Sequence, residues 1–322
     1  MRALVTGGSG FIGSHVVRAL LEAGRRVRVL HLPGDPCSNL AGLDVERVPG
    51  DLRWDPIPVE GCELVFHLAA VYSLWLPDPG LFEAVNVEGT RRVLQAAARV
   101  GARVVHTSSI AVFGGQGQTA EANEDSPFRL GMDHYCCSKE RSHRLAEEHG
   151  AVIVAPAVPI GPGDLAPTPT GRILVEAARL PVVPVTRGEM NFVDVRDVAR
   201  WHVLAADRGE AGQSYILGGA NHALIDVARA AREVLGRRTV LLELPPRALL
   251  PAAHCMILRA RLTGRPPPFT PATLAIAELG LRANCSRAHG LLGPPCFAME
   301  RSVADALAWF AQAGTIVANS PP

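Results

Sequence analysis

The chain has 322 residues, 48% apolar and 20% charged, a composition typical of a globular protein with a buried core. Its 32 basic and 31 acidic residues leave a formal net charge of +1, and no run of Lys or Arg predicts a nucleic-acid or membrane partner. The seven cysteines are odd in number and not spaced as metal-binding pairs, so we expect no metal site and a reduced, cytoplasmic setting. No signal-peptide pattern precedes the first apolar run, so secretion is not expected.

The first half of the chain alternates apolar runs of strand length with amphipathic helical patterns. Parallel strands are joined by helical crossovers, so this alternation predicts an α/β protein with a doubly wound parallel sheet. The predicted strands cover residues 2–6, 26–31, 45–48, 63–67, 103–107 and 152–155. The predicted helices cover residues 11–23, 81–99 and 132–148.

The chain changes character after residue 155. Seven prolines between positions 156 and 184 exclude a continuous helix or a central strand, which predicts that a smaller lobe begins there. A helix pattern within 191–206 and a strand pattern at 213–217 predict a return to the sheet. The predicted main domain is therefore 1–155 with 191–217, and the interleaved C-terminal lobe is 156–190 with 218–322.

Two later segments have helical patterns. The apolar segment 248–262 is interrupted by a proline, a histidine and two arginines, so we interpret it as a core or lobe helix and not as a membrane span. The Pro266-Pro267-Pro268 stretch predicts a turn or linker, and residues 302–313 predict a closing helix.

A glycine-rich turn, Gly7-Gly8-Ser9-Gly10-Phe11-Ile12-Gly13, joins the first predicted strand to the first predicted helix. Gly7 and Gly10 let the backbone approach a pyrophosphate, Gly13 permits close packing of the helix on the strand, and the helix N-terminus offers N–H groups to the anion. A plain tight turn is the alternative. The strand, helix and βαβ setting favour a dinucleotide site of the Rossmann type.

The end of the second predicted strand bears on which dinucleotide is bound. An acidic residue about 20 positions after the glycines holds the ribose hydroxyls of NAD. This chain has His31-Leu32-Pro33 instead, and Asp35 follows as a loop carboxylate. No Arg takes the matching position, although His31 or Arg53 could approach a 2′-phosphate. The sequence therefore predicts NADP or NAD, with NADP preferred by a small margin.

Tyr135 and Lys139 lie four residues apart in a helical pattern, so their side chains share one face. A nearby ammonium stabilises a phenolate and lowers the phenol pKa from its usual value of about 10, which would make Tyr135 an acid–base group at neutral pH. Thr107-Ser108-Ser109 closes a predicted strand, at the edge where open α/β sheets bind ligands. Ser109 can therefore hydrogen-bond a substrate oxygen.

With these motifs the chain resembles the extended short-chain dehydrogenase/reductase family along nearly its whole length. The matching segments are the glycine-rich turn, Asp51-Leu52, Phe66-His67-Leu68-Ala69-Ala70, Asn86-Val87-Glu88-Gly89-Thr90, Thr107-Ser108-Ser109, Tyr135-Cys136-Cys137-Ser138-Lys139 and Phe192-Val193-Asp194-Val195-Arg196-Asp197-Val198. Segments 72–79, 159–164 and 167–172 are similar to the dihydroflavonol-reductase-like branch, and most of all to proteins labelled hopanoid-associated sugar epimerases. That label does not fix the substrate.

The resemblance implies that Ser109 orients the reacting carbonyl or hydroxyl, Tyr135 is the acid–base, Lys139 binds ribose and lowers the phenol pKa, and Asn86 supports the site. It also makes a homodimer through helices 81–99 and 132–148 an expectation. The predicted substrate contacts are Tyr72, Trp75, Ser109, Arg172 and Phe192. The predicted cofactor contacts are Gly7, Gly10, Phe11, Ile12, Gly13, His31, Asp51, Leu52, Leu68, Ala69, Ala70, Thr107, Tyr135, Lys139, Pro156 and Val158.

The start of the lobe helps to choose among functions. Sugar-nucleotide members of the family typically have Arg-Pro-x-Asn-x-x-Gly-Pro there, whereas this chain has Ala155 and Val158 in place of the Arg and the Asn. A buried sugar diphosphate needs such polar partners. We therefore expect a ketone reductase or alcohol dehydrogenase acting on a rather apolar small molecule. A nucleotide-sugar epimerase or dehydratase and a non-catalytic dinucleotide sensor are the alternatives, and the Tyr135–Lys139 pair argues against the sensor.

Overall fold

The computed structural model of the protein describes residues 1–73, 75–115, 121–129, 133–186, 188–236, 239–264, 267 and 269–316. Strands in this part of the chain are β1 Arg2–Thr6, β2 Arg26–His31, β3 Glu46–Pro49, β4 Leu64–His67, β5 Arg103–Thr107, β6 Gly114–Gly115, β7 Phe128–Arg129, β8 Val152–Pro156, β9 Val158–Ile160, β10 Val182–Val185, β11 Glu189–Asp194, β12 Ser214–Leu217, β13 Ala220–Ala223 and β14 Val240–Glu243. The α-helices are α1 Phe11–Glu22, α2 Gly80–Phe82, α3 Thr90–Val100, α4 His134–Glu148, α5 Pro169–Arg179, α6 Val195–Arg208, α7 Leu224–Leu235, α8 Pro246–Thr263, α9 Pro271–Leu279, α10 Ser286–Leu292 and α11 Met299–Gln312.

Seven parallel strands form the main sheet, in the order β12-β8-β5-β4-β1-β2-β3. Helices cover both faces: side chains of α1 and α6 pack in one apolar core, and side chains of α3 and α4 pack in the other. The predicted doubly wound α/β fold is confirmed. The strand order reverses at β1, which pairs with β2 on one side and with β4 on the other. Such a reversal opens a crevice at the carboxyl ends of these strands, where α/β proteins bind ligands.

The smaller lobe contains a three-stranded sheet, β13-β11-β9, and a two-stranded sheet, β10-β14. Its apolar core includes Leu174 of α5, Val227 of α7 and Phe310 of α11. Within segment 191–217, α6 packs against the main sheet and β12 pairs with β8, but β11 belongs to the three-stranded sheet. The chain therefore passes between the two layers more than once.

The predicted helix 81–99 is interrupted in the structure. It begins as α2, continues through the wider π-helical segment Glu83–Gly89, and becomes regular at α3. The predicted helix 132–148 begins at His134, after Asp133 has accepted a hydrogen bond from the Cys136 N–H, while Met132 lies outside the described residues. None of the helices in the described part of the chain has both the length and the hydropathy to cross a bilayer.

Several histidines packed about the main sheet, among them His106 of β5, have lowered pKa values because burial disfavours their charged form. The pKa of His67 is about 3, and those of His143 and His202 are about 4. His202 is fully buried, and its ring nitrogens lie 2.9 Å from Thr107 Oγ1 and 2.8 Å from the Val198 carbonyl oxygen. These imidazoles are therefore neutral at pH 7 in the folded protein.

The free energy of unfolding is expected to fall as the pH falls from about 6.5 to about 4. In that range the unfolded chain takes up protons at these histidines and the folded chain does not, so protonation favours unfolding. For His202 alone the loss is roughly 3 kcal/mol at the acid end. Urea titrations across this pH range measure the free energy of unfolding. His202→Gln should make its pH dependence shallower, and His254→Gln, on the exposed surface of α8, should leave that dependence unchanged. Equal slopes for all three proteins would contradict the argument.

Candidate active site

The glycine-rich turn connects β1 to α1 through a backbone that leaves no room for side chains. A Cβ on Gly7, where φ is +71°, would lie 2.7 Å from the Ala69 nitrogen, and a Cβ on Gly13 would lie 2.1 Å from the Gly7 oxygen. No side chain caps α1 at Gly10. The first-turn N–H groups of α1 therefore face the crevice without intrahelical acceptors, a geometry that fits the pyrophosphate of a dinucleotide.

Charged side chains line the crevice on the β2 side. Arg53 donates to both carboxylate oxygens of Asp51, at 3.0 Å and 2.7 Å, and this pairing holds the pKa of Asp51 below its usual value. Asp35 accepts hydrogen bonds from the Ser9 hydroxyl at 2.6 Å and from the Cys37 N–H at 2.8 Å. These two hydrogen bonds hold the Asp35 carboxylate beside the glycine-rich turn, where it lines the crevice.

Ser109, Tyr135 and Lys139 come together where β5 ends and α4 begins. Tyr135 lies in the first turn of α4, and its hydroxyl is close enough to the Ser109 side chain for Ser109 to lower the phenol pKa. Lys139, one helical turn later, is buried and donates from Nζ to the Thr107 carbonyl oxygen at 2.7 Å. All three side chains line the same cavity as the glycine-rich turn.

The electrostatics of this cluster differ from the sequence-based expectation. Burial and the neighbouring Tyr72 raise the pKa of Tyr135, and the Ser109 side chain lowers it by less. Desolvation of the phenol is the largest effect on its pKa, and the Lys139 ammonium donates to the Thr107 carbonyl oxygen. Burial also lowers the pKa of Lys139 to about 8. At neutral pH Tyr135 is thus a protonated phenol, the state that donates a proton to a carbonyl oxygen.

Asn86 lies in the π-helical segment and is buried. Its side-chain oxygen accepts from the Val71 N–H at 2.7 Å, and its amide nitrogen donates to the Val71 oxygen at 3.1 Å and to Ser138 Oγ at 2.9 Å. These contacts fasten the loop after β4 to the helix that carries Tyr135 and Lys139. Asn86 is therefore a positioning residue that supports the cluster from behind.

One continuous cavity of about 1160 Å³ extends from the glycine-rich turn past Tyr135 into the lobe. Its lobe end is mostly apolar, and the side chains there include Ile173, Met190, Leu224, Leu249, Met256, Phe269, Leu274, Ile276 and Leu281. Polar side chains interrupt this wall, and they include Asp164, Thr168, Thr170, Arg172, Glu176, Thr186 and Thr273. Asp164, whose pKa burial raises to about 6, accepts two hydrogen bonds from Thr168, and the buried Thr186 hydroxyl has no partner within the described residues.

Comparison with known proteins identifies the family. A model of the NAD dependent epimerase/dehydratase family matches residues 3–218. The chain belongs to this family. The resemblance inferred from the motifs is thereby confirmed, and the protein is an NAD(P)-dependent enzyme of the reductase, epimerase and dehydratase group.

Full-length relatives support the assignment to this epimerase/dehydratase family. The chain is 36% identical over 330 residues to a putative dihydroflavonol 4-reductase of Synechocystis, covering 97% of this chain and 95% of that protein. It is 34% identical over 329 residues to sterol demethylase protein B of Methylococcus capsulatus, covering 98% and 100%. The crystal structure of gox2253 is similar, with a TM-score of 0.83, 36% identity and coverage of 98% and 99% of the two chains.

The structure of this family member brings most of the predicted site residues to one place. All sixteen predicted cofactor contacts line the cavity, from Gly7 to Val158, and Tyr72, Ser109 and Arg172 line it as well. As ligand contacts they stay predictions. The sequence did not predict that Asp35, Asp164 and Thr186 line the cavity. Asp35 is held there by a hydrogen bond from Ser9, which is distant in the sequence. No local motif assigns a ligand role to Asp164 or Thr186.

Two predicted substrate contacts lie elsewhere. Phe192 is 3% exposed and packs in the lobe core beside Leu174 and Phe310, because its strand β11 is the central strand of a small sheet. Trp75 is absent from the cavity wall that the described residues form. The Ser73 hydroxyl donates to the Trp75 oxygen and accepts from its N–H, and the Tyr72 side chain lines the cavity.

Proposed function

We propose that the protein is a reductase that uses NAD(P)H to convert the ketone of an apolar small molecule into an alcohol. The observation that carries this proposal is the position of Ser109, Tyr135 and Lys139. They lie where the dinucleotide crevice passes into the apolar end of one cavity. A carbonyl group held there is within reach of a protonated phenol, and the rest of the substrate occupies an apolar environment.

Each residue has a distinct task in this proposal. A bound NAD(P)H supplies the hydride that the carbonyl carbon accepts. The Ser109 hydroxyl donates a hydrogen bond to the carbonyl oxygen, and Tyr135 gives that oxygen its proton as negative charge develops on it. Lys139 uses one of its three N–H donors on Thr107, which leaves two for ribose hydroxyls. Solvent then reprotonates Tyr135.

Three further observations bear on the proposed substrate. Val158 lines the cavity where sugar-nucleotide members of the family have Asn, so a diphosphate would meet an apolar wall. Several relatives are named for reductions, among them the Synechocystis protein and a ceramide reductase of Caulobacter vibrioides that is 30% identical over 275 residues. The Thr186 hydroxyl and Asp164 carboxyl lining the cavity also suit a second polar group on an otherwise apolar substrate.

The experiment that tests this function follows NAD(P)H absorbance with apolar cyclic and long-chain ketones. We expect oxidation of the cofactor with apolar ketones and little or none with short polar ketones. A nucleotide-sugar epimerase or dehydratase is the second candidate, favoured by the family description. Conversion of UDP- or dTDP-sugars without net cofactor oxidation, together with inactivity toward every ketone, would replace the first proposal by the second.

The structure also bears on the choice between NAD and NADP. Arg53 is neutralised by Asp51, and the Asp35 carboxylate lines the crevice beside the glycine-rich turn. A 2′-phosphate bound there would be repelled by Asp35, so we propose NAD(H) as the preferred cofactor, in place of the NADP preference drawn from the sequence.

Replacing Asp35 by asparagine should tighten NADPH binding about tenfold and change NADH binding much less, because the substitution removes a negative charge and retains the side-chain shape. Fluorescence titrations of the wild type and Asp35→Asn with both cofactors measure this. Asp44→Asn, on the exposed surface after β2, is the matched control. Wild-type preference for NADPH, or no change in Asp35→Asn, would contradict the proposal.

A further inference from the structure

Helix α8 has two apolar faces. Only Ala253 and Ala260 of its 18 residues are buried, and Leu249 and Met256 line the cavity on this inner side. Leu258 is nine residues after Leu249, which at about 100° per residue places it on the opposite side of the helix. The inner face of α8 is thus a wall of the substrate cavity, and its outer face is directed to solvent.

The outer face carries an exposed apolar stripe. Its members are Pro251, Cys255, Leu258 and Leu262, spaced by four, three and four residues, so they lie in one line along the helix. Leu258 is 60% exposed and Leu262 is 81% exposed. Two leucines so exposed on one helix face form an apolar surface that water covers unfavourably.

Positive charge surrounds this stripe. Arg247 and Arg261 lie on one flank and Arg259 on the other, and all three are exposed. Arg247 also pairs with Glu278 of α9 at 2.9 Å. The sequence contains no Asp or Glu from Leu244 to Ala277. The charged side chains that α8 itself contributes are therefore all basic, and Glu278 of α9 offsets one of them, Arg247.

We propose that the outer face of α8 docks on an anionic lipid bilayer surface. The stripe Pro251-Cys255-Leu258-Leu262 enters the boundary between headgroups and acyl chains, and the flanking arginines contact lipid phosphates. Apolar side chains between basic ones, without acidic residues, are the pattern of helices that lie in a membrane interface. The sequence predicted no membrane partner because it contains no run of Lys or Arg. In the structure, α8 places Arg247, Arg259 and Arg261 beside one apolar stripe although they are not consecutive in the sequence.

Charge complementarity favours this partner over a protein. A protein–protein interface commonly combines both charge signs with aromatic anchors, whereas α8 contributes leucines and arginines to this face and no acidic or aromatic residue. The location adds a second argument. Because the opposite face of α8 lines the cavity, docking would bring the substrate cavity next to the apolar layer in which a poorly water-soluble ketone accumulates. The docking itself does not depend on the proposed reaction.

Vesicle co-sedimentation of the full chain tests the proposal. The protein should sediment with vesicles of equal parts phosphatidylglycerol and phosphatidylcholine, and about tenfold less with phosphatidylcholine alone or at high salt. Leu258→Ser/Leu262→Ser should lower the partition coefficient on the anionic vesicles at least about tenfold. Arg259→Glu/Arg261→Glu should abolish the preference for anionic lipid. The matched control is Arg99→Glu/Val100→Ser, an exposed arginine and an exposed apolar residue at the end of α3.

A fluorescent label on Cys255 provides a second readout that leaves the two leucines intact. With Cys137 and Cys296 replaced by serine, an environment-sensitive dye on Cys255 should shift to the blue when anionic vesicles are added. The same dye on Cys296, with Cys137 and Cys255 replaced, should not shift. Both cysteines are exposed, so both react with the dye.

Several results would overturn the proposal. Wild-type protein that stays in the supernatant with anionic vesicles, or α8 variants that bind as well as the wild type, would do so. An unshifted Cys255 signal would do so as well. A dimer in light scattering that dissociates in Leu258→Ser/Leu262→Ser, without vesicle binding, would assign the stripe to a second copy of the chain instead.

Discussion

Replacing Tyr135 by phenylalanine is expected to lower kcat for ketone reduction by at least about 10²-fold, because the carbonyl oxygen then has no proton donor. The phenyl ring keeps its packing against Tyr72, whose ring centre lies 5.2 Å away. The Kd for NAD(P)H should therefore change little. Steady-state kinetics and a fluorescence titration of the cofactor measure the two quantities separately.

Tyr72→Phe is the matched control, because it removes a second phenol hydroxyl from the same cavity. It should retain most of the activity and affect KM more than kcat, since Tyr72 lines the cavity and is predicted to contact the substrate without donating the proton. Equal losses in the two variants, or full activity in Tyr135→Phe, would show that the phenol of Tyr135 is not the proton donor.

Replacing Gly13 by alanine is expected to weaken NAD(P)H binding at least about tenfold and to lower the free energy of unfolding by about 1–3 kcal/mol. The new methyl group would lie 2.1 Å from the Gly7 oxygen, so the turn and α1 would have to move apart. That movement displaces the N–H groups predicted to bind the pyrophosphate. The higher helix propensity of alanine, worth about 1 kcal/mol, opposes the loss without removing it.

Gly290→Ala is the control for this prediction. Gly290 also lies within a helix, α10, and a Cβ there would have no neighbour within 4 Å. We expect unchanged cofactor binding and a small gain in stability, about 0.4–1 kcal/mol, from the reduced entropy of the unfolded chain. Calorimetry and denaturant unfolding of both variants decide the matter: a Gly13→Ala protein that binds cofactor normally would refute the account of the turn.

Three strands of the main sheet could be predicted to the residue from the sequence, and β4 and β8 each differ from the prediction by one residue at one end. Strands β1, β2 and β5 begin and end where the apolar runs predict, because a strand covered on both faces by helices needs a continuous apolar run. The crevice followed from the same pattern, since Gly7 follows β1 and Ser109 follows β5, at the carboxyl edge of the sheet. The homodimer and the cytoplasmic location stay predictions.

Other features depend on contacts that the sequence pattern does not encode. Phe192 could equally line a pocket or a core, because both surroundings are apolar, and only the pairing of β11 decides between them. The position of Asp35 depends on Ser9, which is 26 residues earlier in the chain. The raised pKa of Tyr135 reflects burial by the lobe, which no spacing of Tyr and Lys reveals.

The π-helical segment Glu83–Gly89 has a consequence for insertions and deletions. A π turn holds one more residue than an α turn, so loss of one residue there can be absorbed by conversion to a regular helix. The helix would survive, but the Asn86 amide would leave its three partners on Val71 and Ser138. A deletion at this point should therefore yield a folded protein of low activity, which separates the requirement for folding from the requirement for catalysis.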